Sequence, residues 1–546
     1  MMGKTFEPTC ISNEETINLS KTRNNFLLLW SSIVIFQCII WPSIEGVIGA
    51  VVVLLGGVLG IYYCLRRYLL LNFPISTLIL LGYLSYYFLL PPFATIIEGK
   101  ELVNNLVEPE LVFFNALICL LVLLFVHVIY SQSIVLNTIK HTFRDNLYRP
   151  LGFFSVPTNP QLMLMGFIGI IPMAMQTFMP VAGVENAVGM ADKIIQGFYP
   201  LVYVPYCILI KKIIGGEPTT GKQWLWIIIL YTFLLLFLAI GKNSRSAFLM
   251  GMMSICLAYL YMYLTGLVPK RIFNIKRVAI ATGVLILISG PLSDIAISMV
   301  VVRGQRVDIS ALDLISETVS TYQDKELIRI AKNLMVEDIS DWDESYVDNV
   351  FFSRISNLKF TDNSLSLAYN LDFSEIERLR DIEWGKIISI MPSPIIQLLG
   401  LNIDKTFVTS GSGGDFLYAV ATGDNYVIGG FRTGSIFGSG YAIFGWLYPL
   451  VFGFVCLITF PLVDSLCKVG VDDFKSDSHD STRTIFNSLT VASLFSWFFY
   501  LTSAATGAES MSELAGYIFR GWIQTLIIYL IAYWSTHGFL RLLTSR

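Results

Sequence analysis

Five basic residues and two acidic ones could carry chemistry in this sequence. Gly241-Lys242-Asn243-Ser244-Arg245 and Arg303-Gly304-Gln305-Arg306 put cations at the ends of apolar runs, and Arg432 sits inside Gly429-Gly430-Phe431-Arg432-Thr433-Gly434. Asn243 and Ser244 are good N-cap residues. A helix opening at Arg245 would therefore aim free N–H groups and the positive end of its dipole beside Lys242 and Arg245. That combination suits phosphate. Arg303 and Arg306, three apart, share a face if their helix continues, and could clamp a diphosphate that the 242–245 segment also touches. The alternative is that these cations only snorkel to lipid headgroups. Asp415 in Gly411-Ser412-Gly413-Gly414-Asp415 and Asp424 in Gly423-Asp424-Asn425 are candidate general bases for a hydroxyl. Their alternative is a plain turn role, which Asp often fills.

The elements that would position these groups are membrane helices. The 546 residues are 54% hydrophobic and 14% charged with a net charge of −3, and the mean hydropathy is +0.65. This is a membrane composition without a nucleic-acid signal. Apolar runs predict about twelve spans, near 26–42, 44–65, 69–93, 111–133, 161–182, 194–213, 223–240, 246–267, 277–301, 436–463, 485–503 and 516–539. The chain thus divides into a polar tail (1–25), spans one to nine (26–301), a long loop (302–435) and the last three spans (436–546). No small-residue cleavage site follows the first apolar run, so it reads as a retained span.

Orientation follows from charge. Arg66 and Arg67, then Lys140, Arg144 and Arg149, then Lys211, Lys212 and Lys222, then Lys270, Arg271, Lys276 and Arg277 occupy every second loop. The intervening loops are acidic or nearly neutral. The alternation predicts both termini in the cytoplasm and leaves Lys242 and Arg245 on the face where cations are scarce. A basic group held there asks for an anionic partner.

The loop from 302 to 435 is too long to be a connector and reads as a mainly helical extracytoplasmic subdomain. It holds 20 Asp and Glu against 12 Lys and Arg, a net charge of −8. Its apolar stretch from Gly385 to Leu399, interrupted by Pro392 and Pro394, is expected to lie on the membrane surface or re-enter it. Nine of the thirty residues from 411 to 440 are glycine, which permits close approach to a ligand. The acidic patch Glu337, Asp338, Asp341, Asp343, Glu344 and Asp348 lacks EF-hand spacing and reads as a solvated face. Glu509 and Glu513, in the outer loop before the last span, read as solvated too, with lining of the cavity as the alternative. No metal or cofactor is expected.

Other chemistries find little support. His127 lies within a span, and His141, His479 and His537 map to the cytoplasmic side, so no histidine reaches the outer face. GxSxG, HExxH and paired CxxC motifs are absent. Gly216-Glu217-Pro218-Thr219-Thr220-Gly221-Lys222 approaches a phosphate-binding loop, but Gln223 replaces the magnesium-binding hydroxyl and a span precedes it. The eight cysteines avoid the central loop, which argues against a disulfide framework.

Residues 225 to 460 resemble the O-antigen and exopolysaccharide repeat-unit polymerases of the Wzy type. The resemblance rests on Gly241-Lys242-Asn243-Ser244-Arg245-Ser246 opening a span, the arginine-bearing exit of the next one and the large loop. It continues through Gly438-Ser439-Gly440-Tyr441-Ala442-Ile443-Phe444-Gly445-Trp446 leading to Gly453. It implies a GT-C-like glycosyltransferase of the bacterial inner membrane that joins undecaprenyl-diphosphate-linked oligosaccharides on the periplasmic face. Lys242, Arg245, Arg303, Arg306 and Arg432 would hold the diphosphate, and Asp415 or Asp424 would assist deprotonation. The lipid bilayer, a chain-length regulator and a flippase are the implied partners. O-antigen ligases share the scaffold but use a histidine in the large loop, which this loop lacks. A lipid-linked glycan flippase or other transporter is the alternative from a different class.

Overall fold

Apolar runs become helices because lipid offers their backbone N–H and C=O groups no other partner. In a computed structural model, the described residues are 13–178, 195–219, 221–242, 244–267, 283, 290–302, 310–336, 342–349, 351–471, 482–504 and 506–544. Among them, eight helices are long and apolar enough to cross a membrane. They are Leu19–Ile40, Ile44–Cys64, Pro74–Ile97, Pro109–Gln132, Asn159–Phe178, Lys222–Gly241, Ile436–Asp464 and Met511–Thr544. The protein is a helical, multi-pass membrane protein.

Of the other four predicted spans, three are shorter among the described residues, Tyr199–Ile208, Pro291–Val301 and Thr490–Phe499, while Met250–Leu264 is the described apolar part of the 20-residue helix Arg245–Leu264. Tyr199–Ile208 is wound as a 3₁₀ helix carrying Pro200 and Pro205. Thr490–Phe499, ten residues, reaches only about 15 Å, half the hydrocarbon thickness. It is mostly buried and presses so close to the Pro74–Leu84 helix that a Cβ on Gly82 would meet the Phe499 carbonyl. An unexpected antiparallel hairpin, Cys467–Val471 with Thr482–Phe486, precedes it.

Helix Ile44–Cys64 shows how the bundle closes. Side chains from three neighbours fill its glycine positions: Phe113 at Gly49, Phe88 at Gly56, Trp30 at Gly57 and Leu84 at Gly60. Small residues allow this approach where lipid gives no hydrophobic drive.

The spans define two faces. One carries the 41–43 and 98–108 turns, the 342–435 segment and residues 500–510, and we call it the loop face. The opposite face carries 64–73, 133–158 and the hairpin, where Thr484 bonds the Leu71 carbonyl and Asn487 bonds that of Phe153. There Asp464, wholly buried, accepts from the Ile75 and Ser76 amides at 2.8 and 3.0 Å, the Ser76 hydroxyl at 2.5 Å and the Tyr130 hydroxyl at 3.1 Å. His127 extends the chain between Ser76 and Tyr63. This knot caps the helix that opens at Pro74 and ties it to three other spans.

On the loop face, carboxylates dock the long segment onto the spans. Glu98 accepts from the Asp348 and Asn349 amides at 2.6 and 2.8 Å. Asp362 accepts from Val107 and Glu108, both at 2.8 Å, and pairs with Lys359. The acidic patch is therefore not a plain solvated face. Asp343 accepts from Asn105 and Ser345, Asp348 pairs with Lys100 at 2.5 Å, and Glu344 turns inward. Glu337, Asp338 and Asp341 lie outside the described residues.

Candidate functional site on the loop face

Three helices open at one place. Gly413–Thr422, Ile436–Phe444 and Met511–Gly516 are capped by Ser412, Ser435 and Ser510, each accepting a backbone N–H of its own first turn. Their positive ends favour nearby negative charge. The junction is tight because it is built from glycine: a Cβ on Gly414 would lie 2.4 Å from the Arg432 carbonyl, and one on Gly434 would lie 2.6 Å from the Gly414 nitrogen and 2.8 Å from the Glu509 carbonyl. This explains the glycine richness of 411–440 as close chain packing.

Asp415 is the keystone of the junction and not a free base. Its side chain is wholly buried. One oxygen accepts from Ser412, Gly429 and Phe431 at 3.1, 3.2 and 2.9 Å; the other accepts from Arg432 at 3.0 Å. Four amides leave little acceptor capacity for a substrate proton. They do explain the loop conformation: Phe431 has φ +58°, a strained choice for an aromatic residue, and its N–H is one of the four. Asp424 is an exposed cap of the Asn425–Val427 turn, accepting from the Tyr426 amide. It is the turn residue of the alternative reading.

Of the predicted cations, Arg432 joins this junction. Its side chain is 23% exposed, its guanidinium lies 4.6 Å over the Tyr418 ring, and Nη1 reaches the Val427 carbonyl at 3.3 Å and Asp415 at 3.7 Å. Its Nε is buried without a hydrogen-bond partner among the described residues. Lys242 lies at the end of the Lys222–Gly241 helix with its ammonium 3.9 Å from the Tyr199 ring centroid. The Arg245 backbone opens the Arg245–Leu264 helix as expected, but its side chain, like Arg303 and Arg306, lies outside the described residues. The segments bearing these cations do share a neighbour, because both Lys222–Gly241 and Pro291–Val301 pack against the Ala311–Gln323 helix.

Beside the junction is a cluster that the sequence reading missed. Glu383 and Lys386, on the inner side of the Phe373–Ser389 helix, are 2% and 9% exposed. Lys386 Nζ stands 3.9 Å from Glu513 and 4.6 Å from the Phe416 ring centroid. Neither Lys386 Nζ nor Glu383 Oε1 has a hydrogen-bond partner among the described residues. Glu383 Oε2 takes the Ser512 amide at 3.1 Å, and Glu513 takes that of Glu509 at 2.9 Å. Among the described residues Glu509 receives only a long contact, 3.5 Å, from the Gly434 amide, while Glu344 accepts from Thr433 at 2.7 Å and Trp342 at 3.0 Å.

The electrostatics follow from this crowding. Burial, then the neighbouring Glu513 carboxylate, hold the Glu509 carboxyl well above the ordinary carboxylate range. Burial also raises Glu344, against the pull of its hydrogen bonds. Yet the cluster is not sealed, and we call it the recess: Glu513 keeps 31% of its side-chain surface accessible, and Glu509 is partly accessible. A basic carboxylate beside the Lys386 ammonium can take a proton from a hydroxyl and attract an anion.

Two signals for this cluster were present in the chain. Ser510-Met511-Ser512-Glu513 is a helix-start pattern that draws Glu513 back onto its own first turn. Glu383 and Lys386 interrupt an otherwise apolar helix face. No family model, no curated protein and no solved structure matches the chain.

Proposed function

We propose that the chain polymerises lipid-diphosphate-linked oligosaccharide repeat units into a surface polysaccharide at the loop face, which the topology reading makes the periplasmic side of a bacterial inner membrane. The observation that carries this reading is the Glu509 carboxylate: basic, partly accessible, given one long hydrogen-bond contact among the described residues, and near the charge of Lys386. Glu509 takes the proton of an acceptor hydroxyl. That oxygen bonds to the anomeric carbon of the donor sugar, whose bond to the diphosphate breaks with its electron pair leaving on the diphosphate oxygen. Arg432 and Lys386 stabilise that charge, joined by the cations of the 242–245 and 303–306 segments. Guanidinium suits the task because it stays protonated and pairs with phosphate oxygens bidentately. Asp415 serves this chemistry indirectly by holding the Phe431–Arg432 loop.

Cells carrying Glu509→Gln or Lys386→Met at normal protein level test the reading through the length distribution of their surface glycan. Single repeat units in place of long chains are expected from Glu509→Gln, with a milder shortening from Lys386→Met. Full-length glycan from both variants would overturn it. Repeat units trapped on the cytoplasmic side would replace it with the flippase reading.

A further inference from the structure

The segment 390–401 leaves the helix that carries Glu383 and Lys386 and then exposes apolar surface that the other described residues do not cover. Ile395 is 44% exposed, Leu398 86%, Leu399 57% and Leu401 40%, while Ile396 is buried and pins the short Ser393–Leu398 helix to the protein. Four neighbouring apolar side chains facing outward need a cover.

The spans say what covers them. The last helix shows an outward apolar stripe of Phe519, Ile523, Ile527, Ile531, Trp534, Phe539 and Leu542. From first to last it runs about 35 Å at helical rise, close to the roughly 30 Å hydrocarbon thickness. The stripe begins at Phe519, next to exposed Arg520, which marks the headgroup level on the loop face. Gly516 lies one turn beyond that edge, and a Cβ there would stand 3.7 Å from Ile390 Cδ1. The Ile436–Asp464 helix gives the same level. Exposed Trp446 opens its outward stripe of Leu447, Leu450, Phe454 and Ile458, and three residues before Trp446 the Ile443 carbonyl accepts from Arg380 of the Phe373–Ser389 helix.

We propose that Ile395, Leu398, Leu399 and Leu401 insert into the acyl–headgroup boundary of the lipid leaflet on the loop face. The segment is too short to cross and lies at the edge of the apolar belt, so it rests in the interface, as amphipathic surface helices do. Its occupant is phospholipid, and the wedge holds the recess beside Lys386 against the bilayer surface. This inference does not depend on the polysaccharide reading.

The test uses the full chain in phospholipid nanodiscs, labelled with an environment-sensitive fluorophore at Leu398→Cys, with the unmodified chain labelled in parallel to subtract its native cysteines. The expected result is loss of more than half the emission to lipids bearing a nitroxide high on the acyl chain, with little loss to aqueous iodide. Tyr426→Cys, at a side chain that is fully exposed, should show the reverse. Quenching of Leu398→Cys by iodide alone would overturn the proposal. Shielding from both quenchers would overturn it too, since protein and not lipid would then cover the segment.

Discussion

The Asp464 knot on the opposite face and the Glu509 recess on the loop face both take carboxylates out of bulk water, yet they are built on opposite plans. Asp464 is fully enclosed and receives four donors, two of them rigid amides. Glu509 remains partly accessible and receives one long contact among the described residues. A buried polar group with all its partners stabilises the fold; one short of partners costs stability and is retained where something else uses it. Asp415 belongs with Asp464 by this measure, although it sits beside the recess. Donor count and access, more than position, separate structural carboxylates from reactive ones.

Substitutions at the structural carboxylates should break the comparison most visibly. Asp415→Asn turns a donor towards at least one backbone N–H that cannot rotate away, at a cost of about 2 kcal/mol. Faster hydrogen exchange across 425–434 and loss of transfer are expected, because the loop carrying Arg432 loosens. Unchanged exchange there would remove Asp415 from its anchoring role. Asp464→Asn should cost less, about 1 kcal/mol, because its new amide faces the Ser76 and Tyr130 hydroxyls, which can turn to accept. A small fall in melting temperature in detergent would register it.

The smallest effect sharpens the reactive side. A base works when ionised, so with the Glu509 carboxyl held high, transfer should rise with pH through the neutral region, where an ordinary carboxylate would already be flat. Glu513→Gln removes the neighbouring negative charge and should move that rise to lower pH. Stability runs the other way: a raised folded-state value favours the protonated form, so stability falls as pH climbs above the ordinary carboxylate value, and Glu509→Gln should flatten that fall. A pH profile unmoved by Glu513→Gln would separate the two carboxylates.

Much of the architecture was legible because lipid allows the backbone few solutions. Apolar length marked the eight long helices, but it could not show that Thr490–Phe499 stops halfway and turns at Tyr500. The pattern Gly411 to Asp415 pointed to a special backbone site, yet reading its aspartate as a base mistook packing for chemistry. Nothing local distinguishes an Asp that will face solvent from one that four amides of a distant loop will enclose. Glu509 was misread for the converse reason. Its surroundings include Gly434 and Glu344, far away in sequence, and no composition window sees them.

The most direct test of the account is the rate of glycan chain growth per folded molecule, measured side by side for Glu509→Gln and Asp464→Asn. A fall of roughly 10²- to 10⁴-fold is expected for Glu509→Gln, the usual loss on removing a general base, with its fold intact, and an unchanged rate for Asp464→Asn. A Glu509→Gln protein that polymerises at the unmodified rate, or an Asp464→Asn protein that fails as badly while remaining folded, would contradict it.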